Sequence, residues 1–196
     1  MKNLYKIFLI CTVIITSFTS CEESDNTIDT LYDNVDLTGA LVRTLIEPLE
    51  LVTLTNETNN FISMSLEIQE GNGSIPSTLK ELRVYVATYN DQDQEQVTLD
   101  EDGNPISETL LSTIPAADFV PSEVNNLPST DIFILTQAIV DLNPSAVYTF
   151  PTFIYVRLEV ELEDGRTFSD QDAGPSVAAG NYFLSPFYYN IIFLPN

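Results

Sequence analysis

The sequence predicts an all-β fold: an immunoglobulin-like antiparallel β-sandwich of about eight strands with one short helix. Three observations predict it. Apolar and polar residues alternate strictly along the longest ordered-looking runs, turn signals separate those runs, and only one short stretch has the character of a helix. Strict alternation places one face of a strand on a core and the other in water, which is the habit of antiparallel sheets.

The alternation is plainest in IYVRLEVELE. There Ile154, Val156, Leu158, Val160 and Leu162 interleave with Tyr155, Arg157, Glu159, Glu161 and Glu163. In FISMSLEIQE, Ile62, Met64, Leu66 and Ile68 alternate with Ser63, Ser65, Glu67 and Gln69. In LRVYVATY, Leu82, Val84 and Val86 alternate with Arg83, Tyr85 and Ala87. Asp164-Gly165 follows the longest run and precedes RTFSD, so it reads as a two-residue hairpin turn of type I′. DEDGNP (Asp100 to Pro105) reads as a second turn. Pro48 lies inside ALVRTLIEPLELVTL, removes a ladder donor, and predicts an edge strand that breaks and switches sheets. LTQAIVDLN (Leu135 to Asn143) is the helical segment, ended by Pro144.

The chain begins with a different chemistry. Lys2 and Lys6 precede the apolar run Ile7 to Ile15, and small and polar residues lead to Cys21. This is the order of a secretory signal peptide. The run is too short to span a bilayer, which takes about 20 apolar residues. Cleavage before Cys21 makes its thiol the first mature residue, with no later cysteine to pair with. FTSC resembles a bacterial lipobox, with Phe18 where Leu or Val is usual, so Cys21 is the expected lipidation site. The alternative is an ordinary cut that leaves a plain thiol. Each buried methylene contributes about 0.8 kcal/mol, so several acyl chains hold a protein on a membrane almost permanently. The expected organisation is a signal peptide over 1–20, an acidic tether over 21–34 and a β-sandwich domain over 35–196. Glu22, Glu23 and Asp25 follow the cysteine at once and resemble the surface-export signal of Bacteroidota lipoproteins; a solvated tether is the plainer reading. The expected location is the outer membrane, lipid-anchored and facing the exterior.

Loss of residues 1–20 removes two lysines and no acid, leaving 176 residues with 5 basic and 29 acidic side chains, a formal net charge of −24. Such a surface repels phosphate backbones, so no nucleic acid is expected as a partner. A chain of this length buries about two-thirds of its unfolded surface and needs no disulfide or metal to fold.

Four segments carry a family resemblance: NVDLTGALVRT, TIPAADF, EDGRTFS and SPFYYN. They resemble a family of Bacteroidota surface lipoproteins encoded beside TonB-dependent transporters and glycan-capturing lipoproteins of the starch-utilisation-system (Sus) type. The resemblance covers most of the mature chain and consists of strand and turn motifs. It implies an accessory role in nutrient uptake, with a TonB-dependent transporter, its lipoprotein partner and a glycan as candidate partners. Members of that family often continue past the SPF strand into further domains.

The sequence has no histidine, which excludes Ser-His-Asp and Cys-His catalysis. Without histidine, and without cysteine in the sandwich region, nitrogen and sulfur metal sites are not expected. No phosphate-cradling glycine loop is present and no cofactor is expected. Paired carboxylates can hydrolyse glycosides, but these acids sit on wet strand faces and in turns, where solvation is their ordinary role. The reading is a non-catalytic protein. Asp100, Asp102 and Asn104 form a weak calcium candidate with Glu108, in the wrong register for an EF-hand loop. A solvated hairpin loop is the plainer account.

Aromatic residues are the better lead to a ligand, because sugars stack on flat rings. Arg83, Tyr85, Tyr89, Tyr155 and Arg157 occupy outward positions of two alternating strands. The third and sixth strands of an immunoglobulin-like sandwich are neighbours, which would gather these residues into one ligand-binding or docking face. The opposing reading is that cross-strand tyrosines and Arg–Glu pairs simply stabilise the sheet. The rings of NYFLSPFYYN are expected to pack into the core as the final strand, and the absence of Trp weighs against sugar binding. Two functions stay open: an accessory of a Sus-like uptake system that binds glycan or docks on the transporter, or an envelope structural and adhesion domain with protein contacts only.

Overall fold

Two sheets pack face to face. The computed structural model describes residues 39–54, 60–71, 73, 77–172 and 187–194, so Cys21, Glu22, Glu23 and Asp25 lie outside the described residues. The strands are β1 (Ala40–Ile46), β2 (Leu51–Thr53), β3 (Phe61–Glu70), β4 (Leu79–Tyr89), β5 (Leu99–Asp100), β6 (Thr109–Pro115), β7 (Val120–Pro121), β8 (Pro128–Leu135), β9 (Ala146–Val147), β10 (Thr152–Leu162), β11 (Thr167–Phe168) and β12 (Tyr188–Leu194). Among the described residues one α-helix, α1 (Thr136–Leu142), follows β8 directly. The first sheet has the order β1-β3-β8-β7 and the second β2-β12-β10-β4-β6, with β11 on the remaining edge of β10 and β5-β9 as a small separate ribbon. These orders are those of the immunoglobulin sandwich, four strands facing a sheet built on β4, β10 and β12.

The twelve strands of the described residues exceed the expected eight because five of them are only two or three residues long. Such short pairings are set by their partners and leave no period in the sequence.

The alternating runs face as expected. Ile62, Met64, Leu66 and Ile68 of β3 meet Leu82, Val84 and Val86 of β4 and Ile154, Val156, Leu158, Val160 and Leu162 of β10 in one buried cluster. Each large apolar side chain removed from water contributes about 1.5–3 kcal/mol, so these rows are the main source of stability. The rings of the last strand join them: Phe187, Tyr189 and Phe193 are buried. The Tyr189 hydroxyl shares a 2.8 Å hydrogen bond with Thr44 Oγ1, tying β12 of one sheet to β1 of the other.

Pro48 marks the predicted switch. β1 pairs antiparallel with β3 in the first sheet, and β2 pairs parallel with β12 in the second. A proline between them supplies no N–H to either ladder, which frees the chain to cross.

The Asp164-Gly165 hairpin joins β10 to β11, but its turn is one residue longer than expected. Leu162 N–H donates to the Arg166 carbonyl at 3.0 Å, and Gly165 N–H donates to the Leu162 carbonyl at 2.9 Å. Gly165 has φ +86°, whereas Asp164 stays out of the positive-φ region. This is a three-residue loop, a type I turn closed by a left-handed glycine, and it spares Asp164 the cost of that conformation. The same tripeptide Glu-Asp-Gly makes the same turn at 101–103: Asp100 N–H donates to the Asn104 carbonyl, Gly103 N–H to the Asp100 carbonyl, and Gly103 has φ +82°.

Candidate functional site

The β4–β10 ladder assembles the predicted outward face. In its register Arg83 stands opposite Glu159, Tyr85 opposite Arg157, and Ala87 opposite Tyr155. Tyr89 reaches Tyr155 diagonally, edge to face, with ring centres 5.3 Å apart. All five residues therefore lie together. On the far side of β10, Tyr188 of β12 stands opposite Arg157, so Tyr85, Arg157 and Tyr188 form one row across three strands. Tyr188 was assigned to the core strand by sequence, yet it is half exposed; the outward turn of a residue beside the buried Tyr189 is the alternation that could have found it.

Chemically, this face is engaged with itself. The Arg83 guanidinium donates from Nε to Glu81 at 2.8 Å and from Nη1 to Glu159 at 2.9 Å, and its third nitrogen meets Glu161. Lys80 Nζ lies 2.5 Å from the same Glu161. Burial disfavours the charge on Arg83, but the bonds to Glu159 and Glu81 outweigh it and raise the pKa. Arg157 grips Glu108 with two bonds of 2.8 and 2.7 Å and reaches Glu159 at 3.4 Å. The Glu108 bonds raise the Arg157 pKa despite burial, so the cation is permanent. Its guanidinium carbon sits 4.3 Å from the centre of the Tyr85 ring, a cation–π contact that occupies one ring face. Glu108, just before β6, is a partner that sequence reading did not connect to this face.

Tyr155 is outward but not open. The segment 91–96 lies over it, its phenol donates to the Gln92 carbonyl at 2.6 Å, and the residue is 8% exposed. Burial pushes the phenol pKa up, with Asp91 and Asp93 acting in the same direction. The expectation of a solvent-facing ring at 155 is therefore corrected: a loop without apolar residues covers it, held by the Asp91 carboxylate accepting from the Glu95 and Gln96 N–H groups.

The pattern extends beyond this face. Arg43 pairs with Glu67 at 2.7 Å and Arg166 with Asp164 at 2.8 Å, so all five Lys and Arg residues after Cys21 stand in ion pairs. Glu67 is nearly inaccessible, held by Arg43 and by Asn125 Nδ2 at 3.0 Å. The calcium candidate is likewise turned inward. Asp100 Oδ1 accepts from the N–H groups of Asp102 and Asn104, and the Asn104 amide donates to both Asp100 oxygens. The Asn104 bonds hold the Asp100 carboxyl below its ordinary pKa. Among the described residues no three Asp, Glu, Cys or His side chains converge to hold a metal, and no helix is long and apolar enough to cross a membrane.

The other sheet presents a contrasting surface. Phe61 and Phe133 stack on its outward face with ring centres 4.6 Å apart, and Leu135 is paired directly with Phe61. Phe133 is 61% exposed and Leu135 is 48% exposed. Between β8 and β6 lies a cleft of about 680 Å³ whose lining includes Leu111, Ile114, Ile132, Ile134, Ala138 and Asp118. A comparison with protein-family models gives no match for this chain, and neither does a comparison with curated proteins.

Proposed function

We propose that this protein is a non-catalytic, lipid-anchored outer-membrane accessory of a Sus-like nutrient uptake system, and that its sandwich docks on the transporter complex. The address rests on the Lys2–Ser20 signal pattern, the FTSC lipobox and the acids Glu22, Glu23 and Asp25. The observation that carries docking over sugar recognition is the closure of the ring face: Arg157 covers Tyr85, and the 91–96 segment covers Tyr155. A sugar needs an open ring and free polar groups beside it. Here the guanidinium groups are bound to carboxylates, and the rings stabilise the sheet. Protein docking asks instead for exposed apolar surface, which Phe133 and Leu135 supply. The same strip favours a second reading, an envelope structural or adhesion domain with protein contacts only.

Three experiments test the reading. Metabolic palmitate should label the wild type, and Cys21→Ala should release it from membranes; an unlabelled, soluble wild type ends the lipoprotein account. Replacement of Glu22, Glu23 and Asp25 by Ala should retain the lipid but protect the protein from protease applied to intact cells. A pull-down from native outer membrane should retain a TonB-dependent transporter; recovery of other envelope proteins alone would favour the adhesion reading.

A further inference from the structure

Sandwich edges invite pairing with foreign strands unless they are blunted, and four of the edges here are blunted. β1 has a register shift between Thr44 and Ile46, and β2 is three residues long. β6 faces a register shift between Val84 and Tyr85 of β4 and ends in Pro115. β7 is two residues long and ends in Pro121. β8 differs. It pairs with β3 over seven consecutive residues without a shift, from Glu67 opposite Ser129 to Phe61 opposite Leu135. Its other side is covered by β7 only at Pro128 and Ser129. Among the described residues, no strand pairs with the far side of Thr130–Leu135.

We propose that this edge takes an extended polypeptide segment of a partner protein as an added strand, one that alternates apolar residues with lysine or arginine. Strand addition supplies the affinity through main-chain hydrogen bonds and the specificity through alternate side chains. Inward residues of such a strand would enter the cleft beside Ile132, Ile134, Leu111 and Ile114, the apolar part of its lining, which is large enough for side chains. Outward residues would lie beside Phe133, Leu135 and Asp131 on the sheet surface. Charge selects the occupant. Asp118 and Asp131 line the cleft, Asp131 accepts only from the neutral Ser65 hydroxyl at 2.5 Å, and neither aspartate has an ion-pair partner among the described residues. With a formal net charge of −22 on the whole chain and every later cation already paired, a second copy is repelled and a basic strand is attracted.

The proposal rests on the docking reading only for the identity of the partner. The full-length protein is mixed with a short peptide of alternating Val and Lys, with the same peptide N-methylated at alternate amides, and with its Val-Glu counterpart. Amide hydrogen exchange is then read residue by residue. The Val-Lys peptide should slow exchange within Thr130–Leu135 by at least about tenfold, and the other two should not. Asp118→Lys with Asp131→Lys should weaken that protection by about tenfold, a loss of about 1.4 kcal/mol. Unchanged exchange in β10 verifies the fold, and the Asn pair of substitutions serves if the Lys pair does not fold. Equal binding of the N-methylated or Val-Glu peptide, protection at Thr109–Pro115 instead, no protection, or protection without peptide in a dimer of this chain would each overturn it. Peptide protection with no transporter in the native pull-down upholds the edge and ends the docking reading. Absence of peptide protection, with the transporter retained equally by wild type and the charge-reversed pair, removes the edge and leaves docking.

Discussion

The outward side of the β4–β10 sheet and the open side of β8 share the in–out alternation of strand positions, yet they end in opposite states. On β4 and β10 the outward positions hold long charged side chains and tyrosines whose partners stand directly across the ladder: Arg83 with Glu159, Tyr85 with Arg157. The arginines and glutamates of those two strands hold one another and leave little charge for a ligand, while Asn190 of β12, opposite Tyr155, keeps a buried Oδ1 without a partner among the described residues. On β8 the outward positions hold Asp131, Phe133 and Leu135, with Ser65, Ser63 and Phe61 opposite. Short serines cannot cover a ring or neutralise a carboxylate, so this side stays apolar and acidic at the surface. The lesson is that an aromatic residue at an outward strand position points to binding only after its cross-strand partner is known.

Substitutions on the two sides should therefore behave differently. The largest effect is expected for Tyr155→Ala, which empties a buried site and removes the anchor of the 91–96 segment; a loss of about 3 kcal/mol should appear in urea denaturation. A loss under about 0.5 kcal/mol would mean the ring is not structural and would reopen this face to ligand binding. Next, Gly103→Val and Gly165→Val should each cost more than about 1 kcal/mol, since both glycines hold positive φ in the same turn. Neither has a neighbour within 4 Å of the position a Cβ would take, so the cost isolates backbone strain from crowding. Arg157→Met should cost about 1 kcal/mol and diminish in high salt, because it loses the Glu108 pair but keeps part of its contact with Tyr85. The smallest effect is expected for Phe133→Ser, less than about 1 kcal/mol from the lost Phe61 stacking. A larger loss there would show that the β8 surface is part of the core, which would abolish the contrast.

Alkaline titration tests the link between the sheets. Burial pushes the Tyr189 phenol up to about 12, against the hydrogen bond it shares with Thr44. Its folded pKa exceeds the unfolded value of 10.0, so its contribution is complete below pH 10 and is lost as pH rises toward 12. Tyr189→Phe should flatten the fall of stability in that window.

Much of this architecture is legible in the sequence because it depends on local rules. Period-two runs locate β3, β4 and β10, Pro48 marks the crossing of β1 into β2, and the Leu135–Asn143 stretch contains α1. What escapes is set by contacts distant in sequence. The covering of Tyr155 depends on the polar stretch DQDQE folding back over β10, which no hydrophobic period announces. Nothing around Glu67 signals that Arg43 and Asn125 will enclose it. In β8 the apolar run Ile132–Leu135 does not alternate, so periodicity cannot say that Phe133 and Leu135 face out while Ile132 and Ile134 face in. The gathering of Arg83, Tyr85, Tyr89, Tyr155 and Arg157 was legible from strand adjacency. Their engagement through cross-strand tyrosine and Arg–Glu pairs was one of the two readings the sequence left open, but the parts played by Glu108 and the 91–96 segment were not legible, because both come from outside the two strands.

The asymmetry between the two sides is tested most directly by one pull-down from native outer membrane with three lipidated proteins: wild type, Tyr85→Ala with Arg157→Met, and Phe133→Ser with Leu135→Ser. The wild type and the first variant should retain the same transporter in equal amount, and the second variant should lose most of it. Loss of the partner from the first variant, with full retention by the second, would place the working surface on the ring face and contradict the account.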